Sequence, residues 1–229
     1  PEARRHWSFQ SPKRSVVPRI KTQKSVRNQL DAFLLEKLEA KGMHYSEQAG
    51  KFTLLRRVTY DLTGLPPTLD EVHAFVDDTS ADAYDRLVDR LLDKPQYGEH
   101  MAKYWLDLVR FADTNGVHHD HFRDMTPYRD WVIRSWNENL PYDQFVTDQV
   151  AGDLHADPTD DQLIASGFNR LHLIIDRGTA LPEESHHKNV LDRVQAFGTA
   201  FLGLTVGCAQ CHDCLLYTSP SPRDLSTSR

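Results

Sequence analysis

Residues 82–112 read DAYDRLVDRLLDKPQYGEHMAKYWLDLVRFA, and apolar side chains recur in this stretch at intervals of three and four positions. Leu87, Leu91, Trp105 and Leu108 belong to the repeat, which is the spacing of residues on one face of an α-helix. The stretch therefore predicts two core helices, at 82–93 and 98–112.

The same periodicity continues on both sides of this stretch. Thr68 and Glu71 form a capping box that opens one helix, and Pro127 opens another. The predicted helices outside the opening stretch span 26–41, 52–63, 69–77, 127–138, 141–152, 163–168 and 183–206. No set of β-branched runs alternates in the way that hairpin strands do. We therefore predict a mainly α fold, a multi-helical orthogonal bundle.

An extended arm is predicted before these helices. Residues 1–25 contain several prolines among arginine and lysine residues, with Trp7 and Phe9 as isolated aromatic anchors. We assign residues 26–213 to one helical domain. Because the sequence begins with Pro1 and not with methionine, we expect the natural start and any signal peptide to lie upstream.

The composition is that of a soluble globular domain. Hydrophobic residues make up 39% of the chain, which is enough for a core, and no stretch approaches the roughly 18 consecutive apolar residues of a membrane-spanning helix. The net charge of -6 falls on helices of mixed sign, without a basic stripe interleaved with aromatic residues. We therefore expect no membrane span and no nucleic-acid partner.

Residues 214–229 differ in character from the rest. The string CLLYTSPSPRD at 214–224 is the codon-for-codon translation of a transposase-type sequencing adapter. We interpret 214–229 as a non-native tail, with Asp213 as the last natural residue; the alternative is a natural Ser/Pro-rich disordered tail. Without Cys214, the chain has two cysteines, and both lie in one motif.

That motif is Cys208-Ala209-Gln210-Cys211-His212. Attachment of a c-type haem requires two thiols that add to the two vinyl groups of one macrocycle, and a neighbouring nitrogen that binds the iron. The spacing predicts Cys208 and Cys211 as the covalent attachment residues of haem c and His212 as an axial iron ligand. Because this attachment takes place outside the cytoplasm, we expect an exported protein, periplasmic or secreted.

Three alternatives for the motif remain open. The thiols could form half of a zinc site, although a structural zinc site needs a second Cys/His pair and no other natural cysteine exists. They could form a redox disulfide, although such pairs usually open a helix after a strand. They could also be a structural disulfide or a buried thiol pair.

A polar stretch at 113–125 contains His118, His119 and His121 together with several aspartates. These histidines could supply a distal haem ligand or a separate metal site. The spacing does not match an EF-hand loop. The alternative is a solvated loop without a ligand.

Several segments together resemble a known family: HWSFQ (6–10), LLRRVTYDLTGLPPT (54–68), YWLDL (104–108), ADTNG (112–116), YRDWV (128–132), PYDQF (141–145), AGD (151–153) and GCAQCHD (207–213). They resemble the planctomycete secreted cytochrome-associated domain, domain of unknown function 1549. The resemblance covers nearly all of 6–213. The family motif typically continues as Cys-His-Asp-His-Lys, whereas Cys214 stands here at the position of the second histidine. This departure coincides with the predicted adapter junction.

The resemblance implies export, a haem on Cys208, Cys211 and His212, and a cytochrome c module and a further domain in the same full-length protein. It implies no established reaction. Our leading hypothesis is a haem-binding domain for electron transfer or redox chemistry. The second is a carbohydrate-linked hydrolase-like domain, for which Glu99, Asp107 and Asp153 are candidate carboxylates, and the third is a non-catalytic scaffold; the CxxCH sequence is structural in both.

Overall fold

Helices make up most of the part of the chain that the structure describes. The structure is a computed structural model, and it describes residues 6–21, 26–117, 119–175 and 180–210, with the backbone alone at Phe9 and Cys208. Its α-helices are α1 (Gln29–Glu39), α2 (Lys51–Thr63), α3 (Leu69–Asp77), α4 (Ala83–Leu92), α5 (Pro95–Leu108), α6 (Thr126–Asn137), α7 (Tyr142–Ala151), α8 (Asp160–Ala165) and α9 (Pro182–Leu202). The predicted mainly α, multi-helical fold is confirmed.

Helices α1 and α5 begin at Gln29 and Pro95 rather than at the predicted 26 and 98. Three further predicted boundaries are wrong, and the backbone explains each. Helix α5 ends at Leu108 rather than 112, because Arg110 adopts a left-handed conformation with φ of 59°. Helix α9 ends at Leu202 rather than 206, because Gly203 caps it with φ of 62°. The short helix predicted at 163–168 begins earlier, where Thr159 and Gln162 form a capping box, and it gives way to a 3-10 helix at Ser166–Arg170.

The chain divides into two compact units, and the amino-terminal one ends at Gly50. In this unit Asn28 caps α1, and Asp31 completes the capping box. The arm has a short 3-10 helix, Trp7–Phe9, and no other regular structure within 10–21. Trp7 is 80% exposed, so its predicted role as an anchor is wrong.

The larger unit begins at Lys51 and contains two apolar clusters. The first lies among α2, α3 and α4. It is built on Leu55, Phe75, Leu87 and Leu91, and an ion pair between Glu71 and Lys94 lies beside it on the surface of α3. This cluster holds the first three helices of the unit together.

The second cluster joins α5, α6, α7, α8 and α9. Its centre is aromatic: Trp105, Tyr128, Trp131, Phe145 and Phe168 are all buried. The Trp105 and Phe145 rings meet edge to face with centroids 4.9 Å apart, and the Trp131 and Phe145 rings stack at 5.2 Å. This cluster supports both the long helix α9 and the cavity described below.

Among the described residues, no helix combines the length and the apolar character that crossing a membrane requires.

Candidate functional site

The CxxCH motif begins on a segment that folds back against the end of α9. After the left-handed turn at Gly203, the Leu204 N–H donates to the Gly198 carbonyl at 2.9 Å. A 3-10 helix, Gly207–Gln210, then carries the first residues of the motif. The Gln195 amide lies so close to Gly207 that a β-carbon there would stand 3.2 Å from Nε2. The last turns of α9 therefore hold the start of the motif.

The structure does not describe the side chains of the predicted haem-binding residues. Cys211 and His212 are not among the described residues, and only the backbone of Cys208 is. The position of the two thiols and of the imidazole therefore stays a prediction, as does the non-native character of 214–229.

The same part of α9 exposes apolar side chains. Val190, Val194, Phe197 and Leu202 are each between 38% and 56% exposed. Val194 and Phe197 are the chain neighbours of Gln195 and Gly198, the two helix residues that the motif segment contacts. The part of α9 against which the motif begins therefore also carries exposed apolar side chains.

The polar stretch at 113–125 forms an irregular hairpin. The Asn115 N–H donates to the His121 carbonyl at 2.9 Å, and the Arg123 N–H donates to the Asp113 carbonyl at 2.7 Å. The rings of His119 and His121 lie 5.7 Å apart. Within the described residues, no three His, Cys, Asp or Glu side chains form a group that could hold a metal, and His118 lies outside them. The distal-ligand role of these histidines stays a prediction.

A histidine that the sequence analysis did not select, His172, lies beside this hairpin. Arg123 donates from Nη1 to the carbonyls of Arg170 and His172, at 3.0 and 3.1 Å. His172 is buried, and its Nδ1 has no hydrogen-bond partner among the described residues. Burial lowers the pKa of His172, and the positive charges of Arg193 and Arg123 lower it further. The folded protein therefore favours the neutral imidazole.

We expect the free energy of unfolding to fall as the pH drops below 6.5, the ordinary histidine pKa. The unfolded chain binds the proton first because the pKa of His172 is lower in the folded state. The loss then reaches up to about 1.4 kcal/mol per pH unit until the folded-state pKa is passed. Urea unfolding of the wild type and His172→Gln from pH 5 to 8 measures it. Burial also lowers the pKa of His100, but His100 is present in both proteins. A difference between the two proteins that stays constant over this range would contradict the prediction.

A cavity with a mainly aromatic lining lies between α5, α6 and α7. Helix α6 ends in a Schellman motif: Asn139 is left-handed with φ of 51°, and the Leu140 N–H donates to the Ser135 carbonyl at 2.9 Å. This turn, followed by Pro141 at the start of α7, brings Leu140 and Tyr142 to a cavity of 480 Å³ that Trp105 and Phe145 also line. Trp136 completes the aromatic lining.

A buried polar network stands behind this aromatic wall. Gln149 Oε1 accepts hydrogen bonds from Trp105 Nε1 at 3.0 Å and from the Tyr128 hydroxyl at 2.7 Å. Gln149 Nε2 donates to the Phe145 carbonyl at 2.9 Å. Burial raises the pKa of Tyr128, which keeps its hydroxyl protonated as a donor. The network fixes the orientation of the Trp105 ring that faces the cavity.

The candidate hydrolase carboxylates are not brought together in this cavity. Glu99, Asp107 and Asp153 are all exposed, and no carboxylate is among the eight residues that line the cavity. A glycoside hydrolase site needs two carboxyl groups on either side of one bond. The cavity therefore does not have the chemistry of such a site.

The fold and the motif segment define a mainly α, multi-helical domain in which a turn and a CxxCH sequence follow the last long helix, α9. The family model PSCyt2, described as a protein of unknown function (DUF1549), matches residues 29–217. The chain belongs to this family. The comparisons with curated proteins and with solved structures gave no match.

Proposed function

We propose that this chain is an exported domain that carries haem c, bound through Cys208 and Cys211, with His212 as an axial ligand of the iron. In this proposal the domain serves electron transfer or redox chemistry within a larger protein of planctomycete type that also contains a cytochrome c module and a further domain. The observation that carries the proposal is the CxxCH sequence at 208–212, within the reach of the family match at 29–217.

The residues around the motif suit a haem in two ways. The donor set of two thiols and one imidazole is the set that covalent haem attachment uses. The exposed apolar side chains of Val194 and Phe197, on the helix against which the motif begins, offer the kind of surface that a largely apolar macrocycle covers. Covering them also removes exposed apolar area from water, at about 25 cal/mol per Å².

Each part of the segment has a separate task in this proposal. A bound haem would supply one-electron redox chemistry at its iron. Cys208 and Cys211 would hold it by thioether bonds, and His212 would bind the iron. Gly203 and the 3-10 helix after it turn the backbone up to Gln210 back towards α9.

No observation favours the carbohydrate-linked hydrolase or the non-catalytic scaffold over this proposal. The exposed positions of Glu99, Asp107 and Asp153 count against the first.

The test is covalent haem in the full-length gene product, expressed with an export leader and the cytochrome c maturation machinery. We expect haem staining on a denaturing gel and a c-type pyridine haemochrome spectrum. The double variant Cys208→Ala, Cys211→Ala should lose both signals completely, because no thioether bond can form.

Two controls belong to this experiment. Gln210→Ala changes the same segment but keeps both thiols and the imidazole, so it should retain the haem. The wild type without the export leader should carry none. A wild-type protein without covalent haem under maturation conditions would overturn the proposal.

A further inference from the structure

Helix α1 and the turn after it carry exposed apolar side chains that nothing in the proposed function uses. The helix ends in a Schellman motif: Gly42 is left-handed with φ of 67°, and the Met43 N–H donates to the Leu38 carbonyl at 2.9 Å. This turn brings Met43 back towards Leu38, and both residues line an open groove of 510 Å³. Leu30 and Leu34 precede Leu38 at intervals of four residues and are 72% and 56% exposed. One side of the amino-terminal unit therefore presents an apolar stripe to water.

Two lysines share this side of the unit with the leucines. Lys37 and Lys41 line the same groove as Leu34, and both are exposed. Neither lysine forms an ion pair with another described residue. We use the term α1 face for the set Leu30, Leu34, Leu38, Met43, Lys37 and Lys41.

The mixture of leucine and lysine on the α1 face indicates the kind of surface that it fits. Lysine is depleted at protein–protein interfaces, so a protein partner is disfavoured. Lysine among leucines is typical of helices that lie in the surface of a lipid bilayer. There the apolar side chains are buried at the boundary of the acyl chains, and the long lysine stems let the ammonium groups reach the headgroups.

The charge of the amino-terminal unit has the sign that an anionic lipid surface attracts. Residues 1–50 hold ten basic and five acidic residues, whereas residues 51–229 hold seventeen and twenty-eight. On the arm, Lys13, Arg14 and Arg19 are exposed and form no ion pair with another described residue. At physiological ionic strength, exposed charges more than about 8 Å apart are largely screened from each other, so the local excess of positive charge decides the attraction.

We propose that the α1 face docks on a lipid surface that contains anionic phospholipids. The leucines and Met43 enter the boundary between headgroups and acyl chains, and Lys37 and Lys41 contact the phosphate groups. The basic arm adds attraction, because each Lys or Arg near such a surface strengthens binding about fivefold. A soluble polyanion fits this face less well, because it would leave the apolar side chains in water.

Sedimentation with large unilamellar vesicles measures the partition coefficient of the full chain. One set of vesicles contains phosphatidylcholine alone, and the other contains equal parts of phosphatidylcholine and phosphatidylglycerol. We expect the wild type to bind the anionic vesicles at least about tenfold more strongly, and to lose most of this preference at high salt, which screens the charges. Equal binding to both sets, or no binding to either, would overturn the proposal.

Two double variants locate the contact. Leu30→Gln with Leu34→Gln removes exposed apolar side chains but keeps good helix formers, and it should weaken binding to the anionic vesicles about tenfold. Lys37→Gln with Lys41→Gln should weaken the same binding about fivefold for each lysine that is lost. It should leave binding to the neutral vesicles unchanged.

Each double variant has a control with the same chemistry outside the α1 face. Leu69→Gln with Leu154→Gln replaces two leucines that are 77% and 79% exposed. Lys103→Gln with Lys188→Gln removes two exposed lysines. Both controls should bind as the wild type does. A control that weakens binding as much as the matching α1 variant would show that overall hydrophobicity or net charge determines binding, and the proposal would fail.

The four substituted positions of the α1 face are all exposed, so their replacement leaves the core intact, which unchanged urea midpoints will check. If both α1 variants bind the anionic vesicles as the wild type does, the contact lies elsewhere and the proposal is wrong. The outcome is independent of haem attachment, because no residue of the α1 face belongs to the CxxCH motif.

Discussion

Replacing Gly98 with alanine will lower the free energy of unfolding by about 2–3 kcal/mol, which a lower urea midpoint will show. Gly98 lies near the start of α5, where this helix meets the end of α6. A β-carbon at this position would stand 2.5 Å from the Ile133 carbonyl oxygen and 2.6 Å from Cγ of Asn137. Unbonded heavy atoms do not approach so closely, so one of the helices must move.

Two effects of opposite sign compete in this substitution. Alanine favours the helical conformation over glycine by about 0.5–1 kcal/mol, which would stabilise the protein. The overlap acts against it, and Ile133 contributes a backbone oxygen that cannot rotate away. A shift would also strain the hydrogen bond from the Gly98 N–H to Asn137 Oδ1, now 2.8 Å, and the bond from Asn137 Nδ2 to the Pro95 carbonyl. We therefore expect the overlap to dominate.

Gly167→Ala is the matched control for Gly98→Ala. A β-carbon at Gly167 would lie 3.4 to 3.7 Å from its nearest side-chain neighbours, which is ordinary contact, so the stability should change by less than about 1 kcal/mol. Adding Asn137→Ala to Gly98→Ala should restore only part of the loss, since the Ile133 carbonyl remains. A Gly98→Ala protein as stable as the wild type would contradict the close approach of α5 and α6.

Helix positions were predictable from the sequence because both of their signals are local. The period of apolar residues located α2, α3, α4 and α6 to within a residue or two, and the capping box of Thr68 and Glu71 fixed the start of α3. The end of α5 was not predictable. A left-handed arginine at 110 leaves no mark in the sequence, whereas the Gly203 that ends α9 does.

Which face of a helix is buried depends on its neighbours, as α1 shows. Leu30 and Leu34 share the helical spacing of apolar residues in α1, but they are more than half exposed, whereas Ala32 and Leu35 are buried. A periodic pattern identifies an apolar stripe, but the partner that covers it is set by the tertiary fold.

The charge is distributed less evenly along the chain than expected: residues 1–27 hold eight basic residues and one acidic residue.

The candidate sites also differ in whether their residues are neighbours in the sequence. The CxxCH motif is contiguous, so its spacing alone predicted its chemistry. The cavity joins residues of α5, α6 and α7, and His172 meets Arg123 and Arg193 from distant positions in the chain. The Asn139–Leu140–Pro141 sequence, a helix stop followed by a helix start, was the one local signal of the cavity.

Replacing Gln149 with leucine will destabilise the protein by about 2–4 kcal/mol, because it removes a fully buried side chain that makes three hydrogen bonds. The Tyr128 hydroxyl loses its acceptor and becomes a buried donor without a partner. Trp105 Nε1 keeps only the longer contact, 3.2 Å, to the Tyr128 oxygen. Urea unfolding at neutral pH measures the loss.

Tyr128→Phe removes fewer hydrogen bonds and should lower the free energy of unfolding by about 1 kcal/mol, because Trp105 and Gln149 still pair with each other. The double variant provides the sharper test. Once Gln149 is leucine, the Tyr128 hydroxyl is a donor without an acceptor but still accepts from Trp105 Nε1. Its removal then eliminates one unsatisfied donor and creates another, so the net cost should be close to zero. The double variant should therefore lose less stability than the two single variants together, by a coupling energy of about 1 kcal/mol. Strictly additive losses would mean that the three side chains do not act as one network, and that something other than Gln149 orients the Trp105 wall of the cavity.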